Sequence, residues 1–339
     1  DHRDLHSFPT RRSSDLSAEA DVRYIRRVTT DPDNHSVVLF TDEMIEFIER
    51  HCGRTTNKSP IHVDTTYNLT NGYAVICTLR AIDFEGDPLL LGPILVTKRQ
   101  RECDISILWN AIIKANSKLR DLDLVFVTDG DDSIVNSIKN AFNRPTLFRC
   151  RLHLLANLKQ RLSQMGGTTK LNRLITTSFN DLINAETVEQ FITLSKLNND
   201  KWKQVAKDCG VAEKTFDGFM KYYHKWIGPV IRHNIVQITA AAGMLFKIFD
   251  NNPAESINAI VKGWCQNQKL PIDQLVSTLK TGSVGLYEEL KLGYIQMSRK
   301  FISKDSGSSV VALRKLHKSK TILSDLMTAT QEDPQISTR

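Results

Sequence analysis

The order of apolar patterns between residues 61 and 165 constrains this chain's fold more than any other feature. Three strand-like runs come first, over residues 61–67, 73–79 and 89–97. Asn71-Gly72, a strong hairpin signal, joins the first two, and residues 83–88, with Gly86, turn the chain into the third. Three runs joined by short turns predict an antiparallel meander. Ile105, Leu108, Ile112 and Ile113 then recur at helical spacing, predicting a helix over about 102–119. A strand over 124–128, a helix over 131–142 stopped by Pro145, a strand over 146–149 and a helix over 152–165 follow. In the second of these helices Ile134, Val135, Ile138 and Ala141 share one face. The order βββ-α-β-α-β-α predicts an α/β protein. Its five-stranded mixed sheet would be flanked by helices on both faces, with the first and fourth strands as neighbours.

The flanking regions read differently. Residues 17–56 predict a strand–helix extension, with a strand at 36–40 and a helix at 42–51 capped by Thr41. Residues 57–165 form the first part of the core, and 166–250 an all-helical insertion without strand alternation. Residues 251–303 predict a helix over 254–264, with Pro253 near its start, and a second helix from Pro271 to about 280. A mobile stretch at Gly282 and Gly285 and a last helix over about 286–301 are expected next. The Ser/Lys-rich residues 304–339 predict a poorly ordered tail. His6-Ser7-Phe8-Pro9-Thr10-Arg11-Arg12-Ser13-Ser14-Asp15-Leu16 matches the translation of a common sequencing adapter. Residues 1–16 are therefore expected to be an artefact outside the fold, with the true N-terminus missing. They carry three arginines and three aspartates, so the net charge of +7 does not depend on them.

At 339 residues, two domains or one interrupted domain are expected. A content of 41% hydrophobic and 24% charged residues is that of an ordinary soluble globular protein. No apolar run approaches the roughly 18 residues that span a membrane. The positive charge fits a nucleic-acid partner, although many basic proteins bind none. Six scattered cysteines, with no Cys-x-x-Cys pair, predict reduced intracellular thiols.

Two apolar runs lead into aspartates: Ile61-His62-Val63-Asp64 and Leu124-Val125-Phe126-Val127-Thr128-Asp129. Taken singly, Asp64 could cap a turn, Asp131 reads as a helix cap, and Glu255 as an acid in a helix's first turn. Side by side on neighbouring strands, however, Asp64 and Asp129 would repel, and a divalent cation is the usual remedy. Spacing cannot supply a third partner.

Four segments carry a resemblance. They are His62-Val63-Asp64-Thr65-Thr66-Tyr67-Asn68-Leu69, Val127-Thr128-Asp129-Gly130-Asp131, Arg149-Cys150-Arg151-Leu152-His153, and Asn251-Asn252-Pro253-Ala254-Glu255-Ser256-Ile257-Asn258. In that order they resemble the two aspartate segments, the Cys-x-x-His segment and the Asn-Asn-x-x-Glu-Ser-x-Asn segment of Mutator-like element (MULE) transposases. The resemblance covers about residues 36–265. It implies a ribonuclease H-like fold with a helical insertion before the glutamate. It also implies a DDE triad of Asp64, Asp129 and Glu255 that binds two Mg²⁺ or Mn²⁺ ions and cleaves and transfers DNA strands. The implied partners are DNA, as transposon ends and target, and further copies of the chain assembled on it. The implied location is nuclear. The usual N-terminal zinc-binding DNA module is not in this sequence.

Cys150 and His153 are two ligand types where a structural zinc site needs four. A core cysteine and a cleft-facing histidine is the plainer reading; proximity to the metal site or to DNA phosphate is the functional one. Arg149, Arg151, Lys159 and Arg161 around them suit a phosphate-facing surface or a merely solvated helix. Trp202, Tyr222, Tyr223 and Trp226, interleaved with lysines, suit a helical core or a base-stacking platform. A domesticated, non-cutting DNA-binding protein, a nuclease acting on RNA–DNA hybrids and an interaction module with structural acids remain as alternative functions.

Overall fold

A computed structural model of the chain describes residues 24–31, 34–242, 252–295, 297–298 and 300–304. The adapter-like segment 1–16 and residues 305–339 of the expected tail lie outside the described residues. Seven strands form one mixed sheet: β1 Ile25–Asp31, β2 Asn34–Leu39, β3 Ile61–Tyr67, β4 Tyr73–Arg80, β5 Leu89–Thr97, β6 Val125–Thr128 and β7 Thr146–Arg149. Their order across the sheet is β1-β2-β5-β4-β3-β6-β7. The first four pairings are antiparallel, while β3–β6 and β6–β7 are parallel. Helices α2 Glu102–Ala115, α3 Asp132–Ala141 and α4 Arg151–Gln164 make the crossovers and exit from this half.

The sheet is covered on both faces. Every residue of β4 from Ala74 to Leu79 is buried. Along β6 the side chains alternate. Leu124 and Phe126 belong to one apolar cluster, shared with α2 and α3, and Val125 and Val127 to another, shared with the helical block. Phe126, Trp109 and Phe142 pack ring against ring at 5.2–5.8 Å, and Trp109 Nε1 donates to Ser137 Oγ at 2.9 Å. The indole therefore adds apolar burial without leaving its N–H unpaired. The second cluster is built by α5 Thr169–Ile183, α6 Val188–Asp208 and α7 Glu213–Tyr222, with the short turns to α8 Gly228–Ile231 and α9 Gln237–Ala242. Trp202 lies at its centre, fully buried, and donates to Ser178 Oγ at 3.1 Å. Tyr223 is buried beside it, so core packing explains both aromatics; Trp226 instead is 56% exposed. The stretch of the expected insertion at 243–250 lies outside the described residues.

Four expectations need correction. The sheet has seven strands, not five, because the N-terminal extension adds β1 and β2 along β5. β1 escaped notice because it has no apolar run, and its Ile25 and Val28 are more than half exposed. The turn after β3 is five residues long, from Asn68 to Gly72, since Tyr67 faces Tyr73. Asn68 takes the left-handed conformation there (φ 68°), so Asn71-Gly72 is not a two-residue hairpin turn. The helix expected at 102–119 ends at Ala115. Asn116 is extended and caps a separate 3₁₀ turn, Ser117–Arg120, by accepting from Lys118 N. Finally, residues 272–294 are one continuous helix, α11 Ile272–Tyr294, with Gly282 and Gly285 inside it. A methyl group at Gly282 would lie 2.4 Å from the Trp264 ring, so this glycine admits a close helix neighbour and is no hinge. Phe301, expected in a helix, lies beyond α11 and is fully buried.

Thr41 does cap α1 Asp42–Phe47, accepting from Met44 N at 3.3 Å. The turn Ile48–Cys52 continues that helix with wider, π-type bonds. Among the described residues no helix is long and apolar enough to cross a membrane.

Candidate active site

The parallel strands β3, β6 and β7 deliver their carboxyl ends to one edge, the position where open α/β sheets bind ligands. Val63 pairs with Thr128, so continuing the register by one residue sets Asp64 beside Asp129. Asp64 is not a strand end. β3 runs on to Tyr67 against β4, and it is β6 that stops at Thr128. The site therefore opens where β6 leaves β3. Gly130 N donates back to Thr128 Oγ1, and Asp131 N donates to Asp129 Oδ1 at 2.9 Å. Asp131 caps α3 by accepting from Ser133 N at 2.8 Å. Asp129 thus spends one oxygen on its own turn.

From the other side, α10 Asn252–Trp264 packs over β3 and β4. Ala254, Ile257, Asn258 and Val261 form its buried stripe. Asn258 Nδ2 donates to Asp64 Oδ2 at 2.8 Å. Glu255, one turn earlier, is exposed at the helix start. Its charge reaches Asp64 without touching it. Burial first, then the Asp129 charge, pushes the Asp64 carboxyl up to about 6; Glu255 adds to the rise, while His153 and the Thr65 amide oppose it. Two of the three matched carboxylates are therefore neighbours and the third stands off. Among the described residues no group of three His, Cys, Asp or Glu side chains is gathered closely enough to hold a metal ion.

The start of α4 forms the third wall. Cys150 N donates to Thr128 O at 2.8 Å, which ties the first turn of α4 to the end of β6. Cys150 is fully buried. His153 is half-buried; the neighbouring Cys150 thiol, then Asp129 and Asp64, hold its imidazole above the usual range against the effect of burial. Its Nδ1 is buried. Arg149 ends β7 with its guanidinium over Gly130. Burial lowers its pKa, opposed by Asp129, Asp132, Cys150 and Asp131. Arg151 is partly buried and Lys159 exposed. At 100° per residue they sit roughly 160° and 120° around α4 from His153. No hydrogen bond or ion pair among the described residues draws either to the carboxylates.

Asn258 is the residue that inspection of charges alone passed over. It lay in the glutamate segment, three positions after Glu255, a spacing that puts both on neighbouring parts of one helix face. Chemically, the arrangement is a half-buried pair of oxygen ligands with a histidine, a guanidinium and an amide around it. No family model matches this chain, and no curated protein matches it.

Proposed function

We propose that this chain is the catalytic domain of a DDE transposase of the Mutator-like type, built on a ribonuclease H-like core. It would cleave DNA at an element's ends and transfer the strand to a target by direct phosphoryl transfer. One observation carries the reading. Asp64, within β3, and Asp129, just past the end of parallel β6, lie side by side where β6 leaves β3, under a helix that carries Glu255 and hydrogen-bonds Asp64 through Asn258. The order βββ-α-β-α-β-α, with the helical block before Glu255, supports the finer fold name.

The residues present fit a divalent cation at the aspartate pair. The donors are oxygens, Asp64 is largely removed from water, and burial with the Asp129 charge lifts its carboxyl despite the opposing charge of His153. Asp64, Asp129 and Glu255 would hold Mg²⁺ or Mn²⁺. Such ions, when bound, polarise a phosphoryl oxygen and lower the pKa of an attacking water or 3′-hydroxyl. The chain's own residues do the rest. Asn258 orients Asp64. The Asp131 amide fixes one Asp129 oxygen. His153, whose imidazole is held above the usual range by Cys150, Asp129 and Asp64, is placed to meet a phosphate. No covalent intermediate on the protein is needed, and a DNA-acting protein of this type works in the nucleus.

A second reading, a domesticated protein that binds DNA without cutting it, is favoured by Glu255 standing exposed and apart from the pair. One assay separates them. Labelled duplex is incubated with Mg²⁺ or Mn²⁺ and either wild type, Asp64→Ala, Asp129→Ala or Glu255→Ala. Cleavage by wild type alone supports the transposase. Equal cleavage by all four removes the triad. Binding without cleavage by any selects the second reading.

A further inference from the structure

We propose that the cavity beside Gly130 is a phosphate subsite, in which Arg149 holds an oxygen of a nucleic-acid backbone phosphate next to the Asp64–Asp129 pair. The inference rests on the DNA substrate proposed above and adds where a strand is gripped.

The cavity measures about 120 Å³. A water needs roughly 10–15 Å³ by the same measure, so a phosphate and adjoining waters fit. Three separate elements supply its donors: Arg149 from β7, Lys139 from α3, and Asn234 from the turn after α8 in the helical block. Val230 contributes an apolar wall and Asp132 the single acid. Asp129 sits between two lining residues, Thr128 and Gly130, so the cavity opens beside the turn that carries Asp129.

Arg149 is seated there by shape. A methyl group built on Gly130 would lie 1.1 Å from Arg149 Nη1 and 1.8 Å from Cζ, so the guanidinium fills the space of the missing side chain. Gly130 also takes a left-handed backbone (φ 82°) that other residues rarely adopt. Although Asp129, Asp131 and Asp132 surround it, Arg149 forms no ion pair among the described residues, and its Nε is buried without a hydrogen-bond partner. A guanidinium offers five donors in a rigid fork that matches phosphate oxygens. A phosphate bound there would lie at the turn that carries Asp129, on the side where a strand leading to the carboxylates can be gripped.

The test uses two probes on the full chain in EDTA. First, thermal melting is followed with sodium phosphate against sodium chloride at equal ionic strength, for wild type, Arg149→Gln and Arg149→Lys. Phosphate is expected to raise the midpoint of wild type, less that of Arg149→Lys, and not that of Arg149→Gln. Second, labelled duplex is titrated by anisotropy across a salt series. Arg149→Gln should weaken binding about tenfold and lower the salt slope by about one, while Arg161→Gln, more than two turns along α4 with its guanidinium over the Tyr222 ring, changes affinity less. Equal phosphate protection of wild type and Arg149→Gln, or none of either, overturns the subsite. So does unchanged DNA affinity in Arg149→Gln. Phosphate protection through Arg149 without any duplex binding by wild type keeps the subsite and removes the DNA reading. If Arg149→Gln does not fold, Asn234→Leu on the opposite wall takes its place, with an expected loss of about threefold or more in phosphate affinity. An unchanged response from that folded variant overturns the proposal.

Discussion

Replacing Asp64 by asparagine is expected to stabilise the metal-free protein, although it removes a residue assigned to catalysis. The reasoning starts from burial. In the folded chain the Asp64 carboxyl is raised from 3.8 to about 6 by desolvation and by Asp129. A folded-state pKa above the unfolded one favours the protonated form in the fold. The associated stability is fully present below about pH 4 and is lost as pH rises through 6. Above that, the ionised group opposes folding by about 2 pH units at 1.36 kcal/mol each, an upper figure of about 3 kcal/mol. Asparagine is close in shape and uncharged, and its oxygen still accepts from Asn258 Nδ2. In EDTA at pH 8, Asp64→Asn should therefore unfold at higher urea, with a gain approaching about 3 kcal/mol and a midpoint several degrees higher. The gain should shrink steadily between pH 7 and 4 and vanish below. Added Mg²⁺ should raise the wild-type midpoint and leave the variant unmoved. A variant that is neutral or less stable at pH 8, or a gain that does not change from pH 4 to 8, refutes the argument that Asp64 is buried against an unneutralised charge.

Three further outcomes follow from the packing. Gly282→Ala pushes a methyl group into the Trp264 ring and should cost about 1–3 kcal/mol in urea melts, whereas Gly285→Ala meets open space and should be neutral or stabilise by up to about 1 kcal/mol. Asn258→Ala removes the donor that bridges α10 to Asp64 and should lower stability by about 1–2 kcal/mol at pH 8, read by the same melts. Asp83 bonds Arg54 at 2.6 and 2.8 Å and lies 3.1 Å from His51, and these partners, Arg54 foremost, hold its carboxyl well below the usual range. Its contribution is present above about pH 4 and is lost as pH falls below it, so Asp83→Asn should flatten the acid limb of the stability profile while leaving its shape above pH 6 unchanged.

How much of this was legible before folding depends on whether the signal was local. β3, β5 and β7 announce themselves because each is a run of apolar or β-branched residues bounded by turn residues, and their ends match the expected ones. β1 does not, since a strand held to one neighbour by backbone bonds, with Ile25 and Val28 facing out, has no periodicity to read. Gly282 and Gly285 suggest a mobile stretch for a related reason. A glycine in a helix pattern looks like a break until a neighbour such as Trp264 is seen pressed against it. Asn116 ended a helix through a side-chain cap that composition does not distinguish from a loop asparagine.

At the site the division is the same. From sequence alone came the strand order that makes Asp64 and Asp129 neighbours, because parallel crossovers leave few ways to seat β6 beside β3. From sequence too came Glu255 as an acid at a helix start. Tertiary structure alone decided three things: that Asn258 contacts Asp64, that Glu255 is exposed at its helix start, and that Arg149 occupies the space over Gly130 without an ion pair among the described residues. Each depends on how elements far apart in the chain pack at one sheet edge. Local spacing encodes which face a residue takes, but it does not encode the distance between faces that meet only after the chain has folded.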